Sequence, residues 1–117
     1  EDLVILHCTS AYPTEMEELN LKVIQTLKDG FLVPVGYSGH ESSFIPSYTS
    51  VMLGACMVER HITVDRALWG SDQAASLEPI AFRRLVNYIR ELNMIIGDGV
   101  KQVYESELPI IAKLRRK

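Results

Sequence analysis

The sequence is poor in cysteine. Cys8 and Cys56 are the two it has, and they fall in no C-x-x-C or Cys/His finger spacing. Neither a structural zinc site nor a disulfide-stapled fold is expected from them, and both thiols read as reduced. Basic charge is also short: 12 Lys and Arg against 15 Asp and Glu leave a formal net charge of −3. No positive field exists to hold a nucleic-acid backbone. No apolar run approaches the roughly 20 residues that span a bilayer. The N-terminus lacks a basic stretch followed by a signal-type apolar core, so the expectation is a cytoplasmic protein with no membrane partner. Low-complexity sequence is absent too, and nothing repeats beyond a strand-helix period.

What is present is the composition of an ordinary globular chain, 117 residues with 47% hydrophobic and 23% charged. One compact soluble domain is the size limit. Leu3 to Cys8 is a short branched apolar run, too short for a helix and suited to a buried strand. A polar loop from Thr9 to Pro13 follows. Thr14 then stands three residues before Glu17, a capping-box spacing, and Leu19, Val23, Ile24 and Leu27 recur at helical steps before Gly30. The order repeats with a strand predicted over Phe31 to Gly36, a Ser/Gly/His loop, and a small-residue helix over Pro46 to Gly54. A third strand fits Ala55 to Glu59. After a long polar loop from His61 to Ser76, Pro79 opens the strongest helix. Its face is Phe82, Leu85, Val86, Ile89 and Leu92, and it ends near Gly97 or Gly99. Such alternation implies an α/β fold with a parallel sheet covered by helices. Three βα units fill most of the chain, whereas a closed eight-stranded barrel needs about 250 residues. With no methionine ahead of Glu1, a piece of a larger α/β enzyme is expected.

In parallel α/β folds, reactive side chains gather at the carboxyl ends of strands. All three loops are polar there: Thr9, Ser10 and Tyr12; Tyr37, Ser38, His40 and Glu41; then Glu59, Arg60, His61, Thr63 and Asp65. His40 and His61 lie just past the ends of consecutive strands, which puts both imidazoles on one rim. Two nitrogens suit a borderline divalent metal and leave positions open for water and substrate. Spacing leaves equally open a structural role in which each ring bonds a neighbouring carboxylate or carbonyl. His7, inside the first strand, fits a satisfied core or barrel-lining position. In Gly36-Tyr37-Ser38-Gly39 the glycines free the backbone to approach an anion that the hydroxyl can bind, or they serve a tight turn. Gly70-Ser71-Asp72 is a loop turn or a carboxylate aimed at a polyol. Glu59 and Arg60 read as an ion pair closing a strand end, and Arg83, Arg84 and Arg90 as a solvated helix face.

Four segments carry a resemblance: L-H-C-T-S-A-Y-P-T from Leu6, V-P-V-G-Y-S-G-H-E from Val33, V-E-R-H-I-T-V-D from Val58 and G-S-D-Q-A-A-S-L-E-P from Gly70. In order and spacing they resemble the sialic acid synthases, the phosphoenolpyruvate-dependent N-acylneuraminate synthases. The resemblance implies a partial (β/α)8 TIM barrel. Residues 1–98 would be the C-terminal portion of that barrel, its last three βα units, and 99–117 a tail leading toward a missing antifreeze-like domain. The implied activity is a transferase reaction in sialic acid biosynthesis. C3 of phosphoenolpyruvate adds to the aldehyde of open-chain N-acetylmannosamine, water attacks C2, and phosphate leaves to give N-acetylneuraminate.

By the same resemblance His40 and His61 hold a divalent metal, Mn²⁺ or else Mg²⁺ or Co²⁺, and are the catalytic pair. Ser38 contacts phosphoenolpyruvate, Tyr12 lies beside the sugar, and Asp72 accepts hydrogen bonds from its hydroxyls. Ser10 stands where many bacterial members carry an asparagine that contacts phosphoenolpyruvate, and Gly39 where they carry an aspartate. Both variants resemble the animal-like branch that takes the sugar 6-phosphate. Legionaminate, pseudaminate and spore-coat polysaccharide synthases are the other enzyme readings, and a truncated binding module is the non-enzyme one. The resemblance further implies a homodimeric full-length parent and an inactive isolated fragment.

Overall fold

The computed structural model describes residues 3–115. In chain order it has β1 (Ile5–Cys8), a 3-10 turn (Met16–Glu18), α1 (Val23–Gly30), β2 (Val35–Gly39), α2 (Ile45–Met52), β3 (Val58–Arg60), α3 (Pro79–Ile95), a second 3-10 turn (Glu105–Glu107) and α4 (Leu108–Leu114). The three strands form one parallel sheet in the order β1-β2-β3. Cys8 lies opposite Ser38, and Gly39 opposite Arg60.

All three expected strands form, but two of them sit further along the chain than expected. β2 starts at Val35 rather than Phe31, because Phe31 and Leu32 are exposed and Pro34 has no N–H to give the ladder. Pro34 contributes its carbonyl instead, accepting from Ile5 N at 3.0 Å. β3 runs to Arg60 rather than stopping at Glu59. Ser38, expected in the loop after a strand, is therefore inside β2.

The first helix also departs from expectation. Thr14 does not cap it: its Oγ1 donates to the carbonyls of Ala11 at 2.8 Å and Thr9 at 3.3 Å, and no side chain caps the following turn. A single helix from Thr14 to Gly30 is replaced by a 3-10 turn and α1, separated at Asn20 with φ of 38°. Asparagine tolerates that left-handed conformation, which interrupts helical hydrogen bonding.

Parallel register gives each sheet face its own residues, since successive side chains alternate. Val35 and Tyr37 face the helices, where they pack with Ile24 of α1 and Ala55, flanked by Leu21, Leu27 and Val58. His7 is on that face too, with Nε2 donating to the Leu19 carbonyl at 2.7 Å, which fits the satisfied histidine expected there. α2 lies close over the sheet because Pro46, Ser47 and Ser50 are small and buried. α3 packs against α2, with Phe44 and Tyr88 at a ring separation of 5.9 Å. Of its expected core stripe only Leu85 is fully buried, while Phe82 is 39% exposed. Arg83, Arg84 and Arg90 are exposed.

The opposite face carries Leu6, Cys8, Gly36, Ser38 and Glu59. Gly36 lies inside β2 and not in a turn, and a Cβ there would stand 2.5 Å from Leu6 Cδ2 and 2.7 Å from the Met57 carbonyl oxygen. The glycine is needed for the close approach of three strands. No described helix is long and apolar enough to cross a membrane.

Candidate functional site at the strand ends

The rim begins where β1 and β2 end. Cys8, free like Cys56, leads into a loop that folds back over β2: Thr14 N donates to the His40 carbonyl at 3.1 Å, and His40 Nδ1 donates to the Thr9 carbonyl at 2.9 Å. His40 is thus held through both its backbone and its ring, and is buried. A ring whose Nδ1–H is spent on a carbonyl presents, when neutral, the Nε2 lone pair.

His61 follows the last residue of β3. The long loop after it is pinned at its base, where Leu77 N donates to the His61 carbonyl at 2.8 Å and Thr63 N to the Leu77 carbonyl at 3.0 Å. That closure returns Asp72 to the rim, with its Oδ2 3.9 Å from His61 Nδ1 and its side chain about half exposed. Ser71 Oγ donates to Asp72 Oδ1 at 3.0 Å. The two imidazoles stand 4.9 Å apart between ring centroids, edge to face at 76°. Tyr12 closes the group at 4.3 Å from the His40 ring and 5.7 Å from the His61 ring.

The fold therefore brings Tyr12, His40, His61 and Asp72 together. Ser38 lies below them, buried, and its hydroxyl donates to Glu59 Oε1 at 2.8 Å. An anion-binding role would require that hydroxyl to turn away from Glu59. Ser10 is exposed on the outer loop, with its hydroxyl 4.0 Å from Cys8 Sγ. A separate groove lined by Phe44, Tyr48, Tyr88, Glu91, Leu92 and Ile95 contains none of these residues.

Beneath the rim lies a set of charges that spacing did not reveal. Glu59 and Arg60 do not pair with each other. Arg60 instead donates to Glu41 Oε1 at 2.8 Å, both side chains being 1% exposed. It also reaches the Ser43 carbonyl at 3.0 Å and Ser47 Oγ at 2.9 Å, as well as the Glu41 carbonyl. Tyr37 donates its hydroxyl to Glu41 Oε2 at 2.9 Å. Strand alternation explains the rearrangement: Glu59 points to the Ser38 face and Arg60 to the helix face. Burial, and then the Glu41 carboxylate, hold the Tyr37 phenol well above its ordinary range, while burial pulls Arg60 down despite Glu41. A sequence signal for the pair was available, since Glu41 and Arg60 each adjoin a rim histidine.

Among the described residues no group of three or more His, Cys, Asp or Glu is arranged to hold a metal ion. The donor chemistry of His40 and His61 still suits a borderline divalent cation. Both are imidazoles on adjacent strand ends, and one has its outer nitrogen fixed by a carbonyl, the usual arrangement behind a metal-binding histidine.

Residues 1–101 match the NeuB family. The chain belongs to that family. Among other NeuB-like proteins, the N,N'-diacetyllegionaminic acid synthase of Legionella pneumophila is 45% identical over 114 residues, covering 97% of this chain and 32% of that protein. The human N-acetylneuraminate-9-phosphate synthase is 44% identical over 110 residues, covering 93% of this chain and 31% of that protein. The crystal structure of N-acetylneuraminic acid (sialic acid) synthetase from Leptospira borgpetersenii, in complex with citrate, superposes with a TM-score of 0.77 at 38% identity, covering 97% of this chain and 41% of that one. The chain thus spans about a third of the length of the curated NeuB-type relatives it matches.

Proposed function

We propose that this chain forms the metal-holding rim of a phosphoenolpyruvate-dependent N-acylneuraminate synthase, as the last three βα units of its (β/α)8 barrel. The observation that carries the reading is the convergence of His40 and His61 at adjacent strand ends, with Tyr12 and Asp72 beside them. Membership of a family whose relatives are named as synthases of nine-carbon sugar acids supports it.

In this reading His40 and His61 bind the divalent cation, Mn²⁺ in preference to Mg²⁺ or Co²⁺, leaving its other positions to water and substrate. When bound, such a cation supplies Lewis-acid polarisation of the sugar aldehyde oxygen. Tyr12 lies against the open-chain N-acylmannosamine, and Asp72, free on its solvent side, accepts from the sugar hydroxyls. Ser38 turns its hydroxyl from Glu59 to phosphoenolpyruvate, with Ser10 at the outer edge of the same subsite. C3 of phosphoenolpyruvate bonds to the aldehyde carbon, water adds at C2, and the C2–O bond to phosphate breaks. The reading carries a homodimeric parent and a cytoplasmic location. A second acceptor is favoured by the relatives themselves: the 45% identity to the N,N'-diacetyllegionaminic acid synthase is close to the 44% to the N-acetylneuraminate-9-phosphate synthase, so the sugar precursor of legionaminate stands beside N-acetylmannosamine and its 6-phosphate.

The test is phosphate release by the intact protein with Mn²⁺, phosphoenolpyruvate and each acceptor in turn, with His40→Ala as control. Release with one acceptor, abolished in the variant, is expected and names the sugar. A folded, Mn²⁺-loaded protein that releases no phosphate with any of the three would overturn the reading.

A further inference from the structure

The buried pair Glu41–Arg60 occupies a particular place in the chain. Glu41 follows His40, and Arg60 precedes His61, so each charged residue is one peptide unit from one imidazole. Alternation along β3 puts Arg60 on the helix face, and Glu41 meets it there from the bend that follows His40. The imidazoles accordingly stand on the rim while the charges meet behind it, under α2.

A buried ion pair is weak evidence for stability, because desolvating two charges consumes most of their attraction. Its geometry here is nonetheless well determined. The Glu41 carboxylate receives Tyr37 on Oε2 at 2.9 Å, and Arg60 at 2.8 Å and Ser47 at 3.3 Å on Oε1. The Arg60 guanidinium spans the Ser43 carbonyl at 3.0 Å and the Ala75 carbonyl at 3.4 Å, thereby touching the loops that follow β2 and β3. Gly39 makes the arrangement possible, since a Cβ there would stand 2.7 Å from Glu41 Oε2 and 2.8 Å from the Tyr37 ring.

We propose that Glu41 and Arg60 are positioning residues that fix the separation and tilt of the His40 and His61 imidazoles, and through them the affinity of the rim for a divalent cation. The planar, always-forked guanidinium is required, because it bonds several acceptors at fixed angles where an ammonium offers a point charge. This rests on the metal-holding reading of the two histidines given above.

The experiment titrates the intact protein with Mn²⁺, following the free aquo ion by electron paramagnetic resonance. Bound ¹⁴N nuclei are read from the electron spin echo modulation. His40→Ala, which tests the metal reading alone, is expected to abolish binding; binding unchanged in that variant would remove the metal site and this inference with it. With that control positive, Glu41→Gln and Arg60→Lys are expected to weaken Mn²⁺ by roughly 10- to 100-fold, the usual effect of losing an outer-shell support. The nitrogen modulation of the residual complex should also change, a signature that a merely stabilising pair would leave as in wild type. Affinities within twofold of wild type, with unaltered modulation, overturn the proposal. Where either variant fails to show native circular dichroism, Ser47→Ala takes one hydrogen bond from each partner and leaves both charges. It should weaken Mn²⁺ by about threefold, a smaller effect than loss of either ion because both charges remain, and an unshifted titration overturns the proposal equally.

Discussion

Replacing Tyr37 by phenylalanine removes one hydroxyl from the buried network and changes nothing in ring packing. In the native protein that hydroxyl donates to Glu41 Oε2 at 2.9 Å, with the Tyr37 side chain 1% exposed. A hydrogen bond to a charged group contributes about 1.5–3 kcal/mol, so Tyr37→Phe should be less stable than wild type by that amount at pH 8. The alkaline behaviour tests the cause. Burial and the adjacent carboxylate keep the folded phenol protonated well above its ordinary value of 10.0, whereas the unfolded phenol ionises there. Above pH 10 the unfolded state therefore binds fewer protons than the folded one, and stability falls as pH rises. Against an unfolded value near 10, one group contributes a loss of about 1.4 kcal/mol by pH 11. Tyr37→Phe lacks that group and escapes the loss, so the gap between the two proteins should narrow by about 1.4 kcal/mol between pH 8 and 11. Urea unfolding of both proteins, followed by far-ultraviolet circular dichroism at pH 8, 10 and 11, measures it. All other titrating groups are shared and cancel in the difference. A gap constant across that range would refute the assignment of Tyr37 as a buried donor to a carboxylate.

Gly36→Ala places a methyl against Leu6 and the Met57 carbonyl and should cost roughly 1–3 kcal/mol by overpacking; a urea midpoint equal to wild type would mean the strands do not approach as described. On the proposed synthase reading, Ser38→Ala in the intact protein should raise KM for phosphoenolpyruvate about tenfold, the worth of one hydrogen bond to an anion, while kcat changes less. An unchanged KM would leave Ser38 as a partner of Glu59 alone.

The strand-helix alternation was legible because buried parallel strands are branched apolar runs and their covering helices carry a 3.6-residue stripe. Ile24, Val35 and Leu85 are buried for that reason. Element edges were less legible. Thr14 and Glu17 have the spacing of a capping box, yet Thr14 Oγ1 is spent on Ala11 and Thr9 in the loop that holds His40. The rim residues Tyr12, His40 and His61 could be placed on one side of the sheet because parallel strands deliver their loops to one end, whereas Asp72 reaches them only through the closure of its long loop at Leu77.

What the sequence determined by itself was the α/β class, the parallel order of the units and the end of the sheet at which polar groups collect. These depend on periodicity and chain direction, which are local properties. The pairing of Arg60 with Glu41 instead of Glu59, the partner of Ser38, and the close approach that demands Gly36 were decided by tertiary structure alone. Each depends on which face a strand residue takes once register is set. A slip of one residue in register would exchange those faces without altering the pattern that announces the strand.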